Sequence, residues 1–224
     1  MHFQTIPILM ILFLRLFSPA WFTGEPCPED KAVSVTEQLQ LTFSEEEPPK
    51  EGILCFDVDE NEQIALGTEA RGQKWISVYD ADMVFQYAIS FHANGDFLIF
   101  LEGEHIWLYL IRGDLCVEID SNGQALSVWE LEGYQENIAP LLKQGRSTTR
   151  EVNGNVYELS NKSSFLNLTG KSSILSVSSA EGGERVLYDA SETMGLRLGF
   201  TLFLGLSLFA LIIGVVVYQN KKKQ

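Results

Sequence analysis

The sequence predicts an all-β domain of hairpin repeats, propeller-like or an open meander, carried on a C-terminal transmembrane helix. Three observations predict it. One strand-turn-strand grammar recurs along the chain. Helical periodicity is weak between residues 53 and 191. The stretch from Leu198 to Tyr218 is apolar and holds no charged residue.

The repeats justify the β-domain. Ile53 to Leu66 is an apolar strand, a polar turn opened by aspartate (Asp57-Val58-Asp59-Glu60-Asn61), and a second strand. Trp75 to Tyr87 follows the same grammar around Asp80 and Asp82, as does Leu115 to Leu126 around Asp120, Asn122 and Gly123. Another copy runs from Ile174 to Tyr188. Asp, Asn and Gly supply the left-handed or side-chain-capped backbone of tight turns. Asp96 to Leu101 and His105 to Ile111 are further strands split at Gly103. One hairpin cannot bury its apolar face alone, so repetition implies stacked neighbours, with room for four blades. A short helix is expected at Gln135 to Leu142.

Five segments follow: 1–22 as a signal peptide or N-terminal anchor, 23–52 as an acidic polar leader, 53–191 as the extracytoplasmic β-domain, 198–218 as the span and 219–224 as a basic tail. The leader holds an alternating stretch, Val33 to Phe43, and then Glu45-Glu46-Glu47-Pro48-Pro49, a run expected to resist packing. The compact domain is expected to start near Ile53.

At about 1.5 Å per residue, roughly 21 helical residues cross a ~30 Å hydrocarbon layer. Lys221, Lys222 and Lys223 cluster behind the span while Arg197 stands alone before it, so the positive-inside bias puts the C-terminus in the cytoplasm and the β-domain outside. Ser18 and Ala20 have the spacing of a signal-peptidase site. Arg15 within the apolar run is unusual for a cleaved signal, so an uncleaved anchor is the alternative.

With 16 basic and 30 acidic residues, net charge −14, the chain has no basic stripe for nucleic acid, and that partner is excluded. The partners expected are the membrane and a protein or small ligand on the extracytoplasmic face. Three cysteines (Cys27, Cys55, Cys116) are too few for a disulfide scaffold. Cys55 and Cys116 hold equivalent repeat positions, which allows a bridge but fits small buried side chains better.

No catalytic, cofactor or metal constellation survives inspection. Asp57 to Asn61 resembles the opening of a calcium loop, but position six is Glu62, not glycine, and position twelve is Thr68, not glutamate. Gly170-Lys171-Ser172 lacks the earlier glycine of a phosphate loop, having Phe165 there. His92 and His105 are not at ligand spacing, and there is no Gly-x-Ser-x-Gly elbow. Asn161 and Asn167 open glycosylation sequons, relevant only in a eukaryotic secretory pathway, where the lysine tail would suit an endoplasmic-reticulum membrane protein. Ala210 with Gly214, and Gly195 with Gly199, are small pairs that would let span helices approach.

The grammar resembles NHL-like and quinoprotein-like propeller blades. The runs Ile53 to Leu66, Ile76 to Asp80 and Leu115 to Gly123 look more closely like an uncharacterised family of single-span extracytoplasmic proteins of anaerobic Gram-positive bacteria. That resemblance covers about Gly52 to Tyr218, implies a cell-membrane location and brings no catalytic residue. The function expected is a non-enzymatic binding, sensing or accessory module, with Trp75, Trp107, Tyr109 and Trp129 as residues that line a binding face or fill the core. The alternatives are a cryptic hydrolase using Asp57, Asp80 and Glu118, and a purely structural envelope or scaffold protein.

Overall fold

Pairs of hairpins join into meanders, so the four recurring copies become three sheets rather than four blades. The computed structural model describes residues 24–221 apart from 134, 136, 137, 180 and 181, with backbone alone at 208, 210, 211 and 214–221. The expected signal or anchor at 1–22, and Lys222 and Lys223, lie outside these residues. In the first sheet, β3 (Ile53–Val58), β4 (Ile64–Ala70), β5 (Gln73–Tyr79) and β6 (Phe85–Phe91) run antiparallel in order, with β2 (Thr42–Ser44) added beyond β6. The second repeats this with β7 (Phe97–Glu102), β8 (His105–Leu110), β9 (Leu115–Ile119) and β10 (Ala125–Leu131), edged by β1 (Gly24–Pro26). The third has four strands: β11 (Thr149–Val152), β12 (Asn155–Ser160), β13 (Ile174–Ser179) and β14 (Glu184–Asp189).

Both faces of the first sheet are buried, each against a different neighbour. Cys55, Ala65, Ile76, Val78, Ile89 and Phe91 pack on the second sheet, where the Phe91 and Phe97 rings meet edge-on at 5.0 Å. Phe56, Val58, Ile64, Leu66 and Tyr79 pack on Tyr157, Leu159, Leu175 and Tyr188 of the third. The period-two alternation of strands assigns these sets to opposite faces. The first sheet in sequence is therefore central in space. Gly67 permits the approach to the second sheet, since a Cβ there would lie 2.5 Å from Cys55 Sγ and 2.9 Å from the Phe97 ring.

The segment joining the second and third sheets must come back across the molecule. It carries α2 (Ala139–Gly145), shifted from the expected Gln135 to Leu142, and seats Ile138 and Leu141 in the core beside Leu98. Gly145 lies so close to Leu98 that a Cβ would be 2.5 Å from it.

The polar leader is part of the fold, which corrects the boundary at Ile53. Val33 to Phe43 is not one strand. Glu29–Leu39 forms helix α1, ended by Gln40 in a left-handed conformation, and Ala32, Val35 and Leu39 pack on the core. The flanking residues become β1 and β2, which extend two sheets through backbone pairing. The Glu-Pro run itself stays exposed from Glu45 to Lys50 apart from the half-buried Pro48, and the chain dives into the fold only just after it. Glu47 accepts a hydrogen bond from the Tyr79 hydroxyl at 3.0 Å, and Glu51 and Gly52 are buried. Burial and then the neighbouring Glu47 charge push the Tyr79 phenol strongly up.

After β14 the chain turns into α3, Ser191–Lys221, whose 31 residues contain the apolar run 198–218 and absorb the start of the expected tail. Met194 is buried beside Ala190, and Leu198 packs partly on the same cluster. Among the residues whose side chains are described, no helix is long and apolar enough to cross a membrane; the run 198–218 continues past them.

Candidate functional site

One edge strand from each of the three sheets meets at one carboxylate. Asp57 on β3 accepts from Arg150 Nε on β11 at 2.8 Å and from the Leu101 backbone N–H on β7 at 2.9 Å. Arg150 also donates to the Phe56 carbonyl at 3.2 Å and lies 5.2 Å from the centre of the Phe56 ring. Both side chains are about a tenth exposed, at 9% and 10%. Burial pushes the Asp57 carboxyl up, and Arg150 and the Leu101 N–H oppose it. This carboxylate is committed to joining sheets.

The three aspartate turns share one geometry. Asp59 Oδ1 accepts the N–H of Asn61 at 2.9 Å and of Gln63 at 2.7 Å. Asp80 does the same for Asp82 and Val84 at 3.0 and 2.9 Å, and Asp120 for Asn122 and Gln124 at 3.0 and 2.8 Å. Each is an Asx cap on a five-residue loop whose fourth residue is left-handed: Glu62 at φ 61°, Met83 at 62° and Gly123 at 79°. The capping carboxylates are thus structural, and no calcium loop forms from Asp57 to Asn61. Among the described residues no group of three or more acidic, His or Cys side chains is placed to hold a metal.

Antiparallel connectivity puts these turns at one pole and the exit of α3 at the other. A 350 Å³ depression at the turn pole is lined by Asp59, Asn61, Gln63, Tyr87, Glu104 and Ser121, from both the first and second sheets. Burial, and after it the negative charges of Asp120 and Glu104, push the Tyr87 phenol up to about 12. No lysine or arginine occurs in 59–63, 80–84, 103–104 or 120–124. The turns of the first two sheets thus surround a shallow polar recess with acidic residues, while Arg185 of the third sheet reaches the Ala81 carbonyl at one edge of this pole.

A larger cleft, 590 Å³, opens at the opposite pole under the end of α1, lined by Val35, Gln38, His92, Asn94, Leu110 and Arg112 among others. Its lining includes no carboxylate, hydroxyl or thiol side chain.

The carboxylates considered for hydrolysis are not brought together. Asp57 sits at the sheet junction and Asp80 caps a turn, while Glu118 lies on the far face of the second sheet. There Glu118 contacts His105 Nδ1 at 2.6 Å and accepts from Ser127 Oγ at 2.6 Å, and Ser127 accepts from Trp129 Nε1 at 2.8 Å. In a Ser-His-carboxylate relay the imidazole stands between nucleophile and acid. Here the carboxylate stands between them, so His105 cannot take the Ser127 proton directly.

The aromatic residues divide between core and surface. Trp107, Tyr109 and Trp129 are buried, and Tyr109 donates to Asp114 at 2.7 Å. Trp75 is half-buried beside Arg71 and Arg197. The cysteines are free thiols, with Cys55 and Cys116 buried on different faces. Burial pushes the Cys55 thiol up to about 12 and raises Cys116 strongly. Asn161 is tied down: its Nδ2 donates to Asn167 Oδ1 and to the Lys171 carbonyl, and its Oδ1 accepts from the Ser173 N–H. A glycan on that nitrogen would remove one donated bond.

Comparison with known proteins adds little to this geometry. No protein-family model matches the chain, and no curated protein matches it. Among solved structures, streptogramin B lyase is similar at 12% identity, with a TM-score of 0.28, over 75% of this chain and 46% of that one. The chain thus spans about half the length of that protein. Four-stranded antiparallel meanders in series are the sheet type of propeller blades. A likeness this loose leaves enzymatic status open.

Proposed function

We propose that this chain is a single-span, membrane-anchored extracytoplasmic module that presents the acidic turn pole to a cationic partner and performs no chemistry itself. The observation that carries the reading is polar segregation. All three Asx turns, whose own residues include no lysine or arginine, lie at the end of the β-domain opposite the root of the apolar helix, with Arg185 touching only the edge of the second turn. The uncharged run 198–218 followed by Lys221 supports a span with its C-terminus in the cytoplasm. Supporting it too is the course of the other end: Gly24 pairs with Leu131, the last residue of β10, so the chain enters at the pole from which α3 leaves. An acidic surface keeps a domain soluble and also raises the local concentration of cations and basic partners.

Sealed vesicles of known sidedness test the topology, through protease access to tags at each terminus and to the β-domain. Cleavage of the β-domain from the extracytoplasmic face alone is expected; cleavage from the cytoplasmic face refutes the orientation. Binding is tested on the full chain in detergent with an oligolysine peptide, against Glu60→Gln/Asp82→Asn/Glu104→Gln, which spares the capping aspartates. Salt-sensitive binding that weakens in the triple variant is expected. Equal binding by both proteins refutes the acidic pole as the docking face.

A further inference from the structure

The root of α3 is not a flexible stalk. Arg197 Nη1 donates to Glu51 Oε2 at 2.8 Å, and the same guanidinium forms an ion pair with Glu51 Oε1 through Nη2 without a second hydrogen bond. The Glu51 side chain is buried, and its backbone N–H and carbonyl are both bonded to the Tyr188 hydroxyl, at 2.8 and 2.9 Å. One turn earlier, Met194 is buried against the core, and a Cβ on Gly52 would lie 2.8 Å from its sulfur. The helix therefore leaves the β-domain in a fixed direction.

Beside this root runs the 3₁₀ helix Ser164–Thr169, which contacts α3. Its Leu166 is buried and anchors it, while Phe165 is 46% and Leu168 74% exposed. In a soluble setting two large apolar side chains on a six-residue element would face water without compensation. At the start of α3, Leu196 and Phe200 are also exposed. Lys162 and Lys171 flank the 3₁₀ helix in sequence. An apolar wedge bordered by lysines is the pattern of elements that lie in a lipid headgroup layer.

We propose that the Ser164–Thr169 helix inserts Phe165 and Leu168 into the outer leaflet of the bilayer that α3 enters, holding the β-domain down in one orientation with the acidic pole facing away. This rests on the reading of 198–218 as a span. Two contacts, the clamped helix and the wedge, define a tilt where a single span would leave the domain free to swivel.

The test uses the full chain with Cys27→Ser, reconstituted in vesicles of phosphatidylcholine and phosphatidylglycerol. Single cysteines carrying a small fluorophore are placed by Leu168→Cys, Phe203→Cys and Ser121→Cys. Nitroxide-bearing lipids should extinguish emission at Leu168→Cys and Phe203→Cys and leave Ser121→Cys bright. Quenching at Phe203→Cys without quenching at Leu168→Cys overturns the wedge and leaves the span intact. No quenching at Phe203→Cys overturns the span reading itself. A second variant, Phe165→Cys, guards against a label that disturbs Leu168, and full emission from both sites overturns the proposal.

Discussion

Arg150→Met attacks the point where three sheets meet. The variant removes a charge that lies 2.8 Å from Asp57 and leaves that carboxylate only the Leu101 N–H across the sheet junction. At an effective dielectric constant of about 20, charges ~2.8 Å apart attract by roughly 6 kcal/mol before desolvation is subtracted. Breaking a buried pair from one side costs about 3–5 kcal/mol, against ~0–1 kcal/mol for an exposed pair. With both side chains near a tenth exposed, the larger figure applies. Urea unfolding of the full chain in detergent, followed by tryptophan fluorescence from the buried Trp107 and Trp129, reads the loss directly. Asp57→Asn/Arg150→Met should recover much of the loss, because the asparagine oxygen still accepts from Leu101 without an unpaired charge. The pH dependence has a definite sign. Without Arg150 the folded-state pKa of Asp57 rises further above the unfolded value, so the folded state binds the extra proton and Arg150→Met regains stability as pH falls through that pKa. A loss below about 1 kcal/mol, or a deficit that does not change with pH, would refute a dry junction.

Three further expectations follow from the turns and thiols. Asp59→Ala should cost about 1–3 kcal/mol by orphaning two backbone N–H groups, more than the same change at the less buried Asp120, and Gly123→Ala about 1–2 kcal/mol for its left-handed backbone; urea midpoints measure all three. Asp120, held below the usual carboxylate range first by the Gln124 N–H, and Asp189, held there by Ser191, contribute stability that is complete above about pH 4 and lost as pH falls through their folded values. Acid titration of Asp120→Asn should therefore show a shallower loss than the parent, and an identical curve would sink the assignment. A thiol reagent should modify the half-buried Cys27 in the native protein and reach Cys55 and Cys116 only after denaturation; early reaction of either buried thiol would contradict the packing.

The all-β class, the aspartate turns of the hairpins and the apolar run are legible because they rest on local pattern, whereas the outer ends of the strands run up to five residues past the repeats. An aspartate two and four residues ahead of the amides it caps announces its turn in any context, and this is why three turns could be placed from residues alone. Another local signal is Asn153-Gly154 between Val152 and Asn155, a two-residue hairpin with both φ values positive, at 51° and 78°, which marks β11 and β12. The leader is illegible for the converse reason. Its charge and prolines suggest solvent, but β1 and β2 owe their strand conformation to edges offered by β10 and β6, which lie far away in sequence.

The sequence by itself determined the aspartate-turn hairpins, the acidic balance and the uncharged run 198–218, since each follows from the periodicity or chemistry of neighbouring residues. Only the tertiary structure decided that the first sheet lies between the other two, that Asp57 answers to Arg150, and that Glu51 clamps Arg197. Those pairs are 93 and 146 residues apart, and no local rule relates their positions. It also decided that the acidic turns and the apolar helix occupy opposite poles, because polarity across a domain is a property of how the strands are threaded.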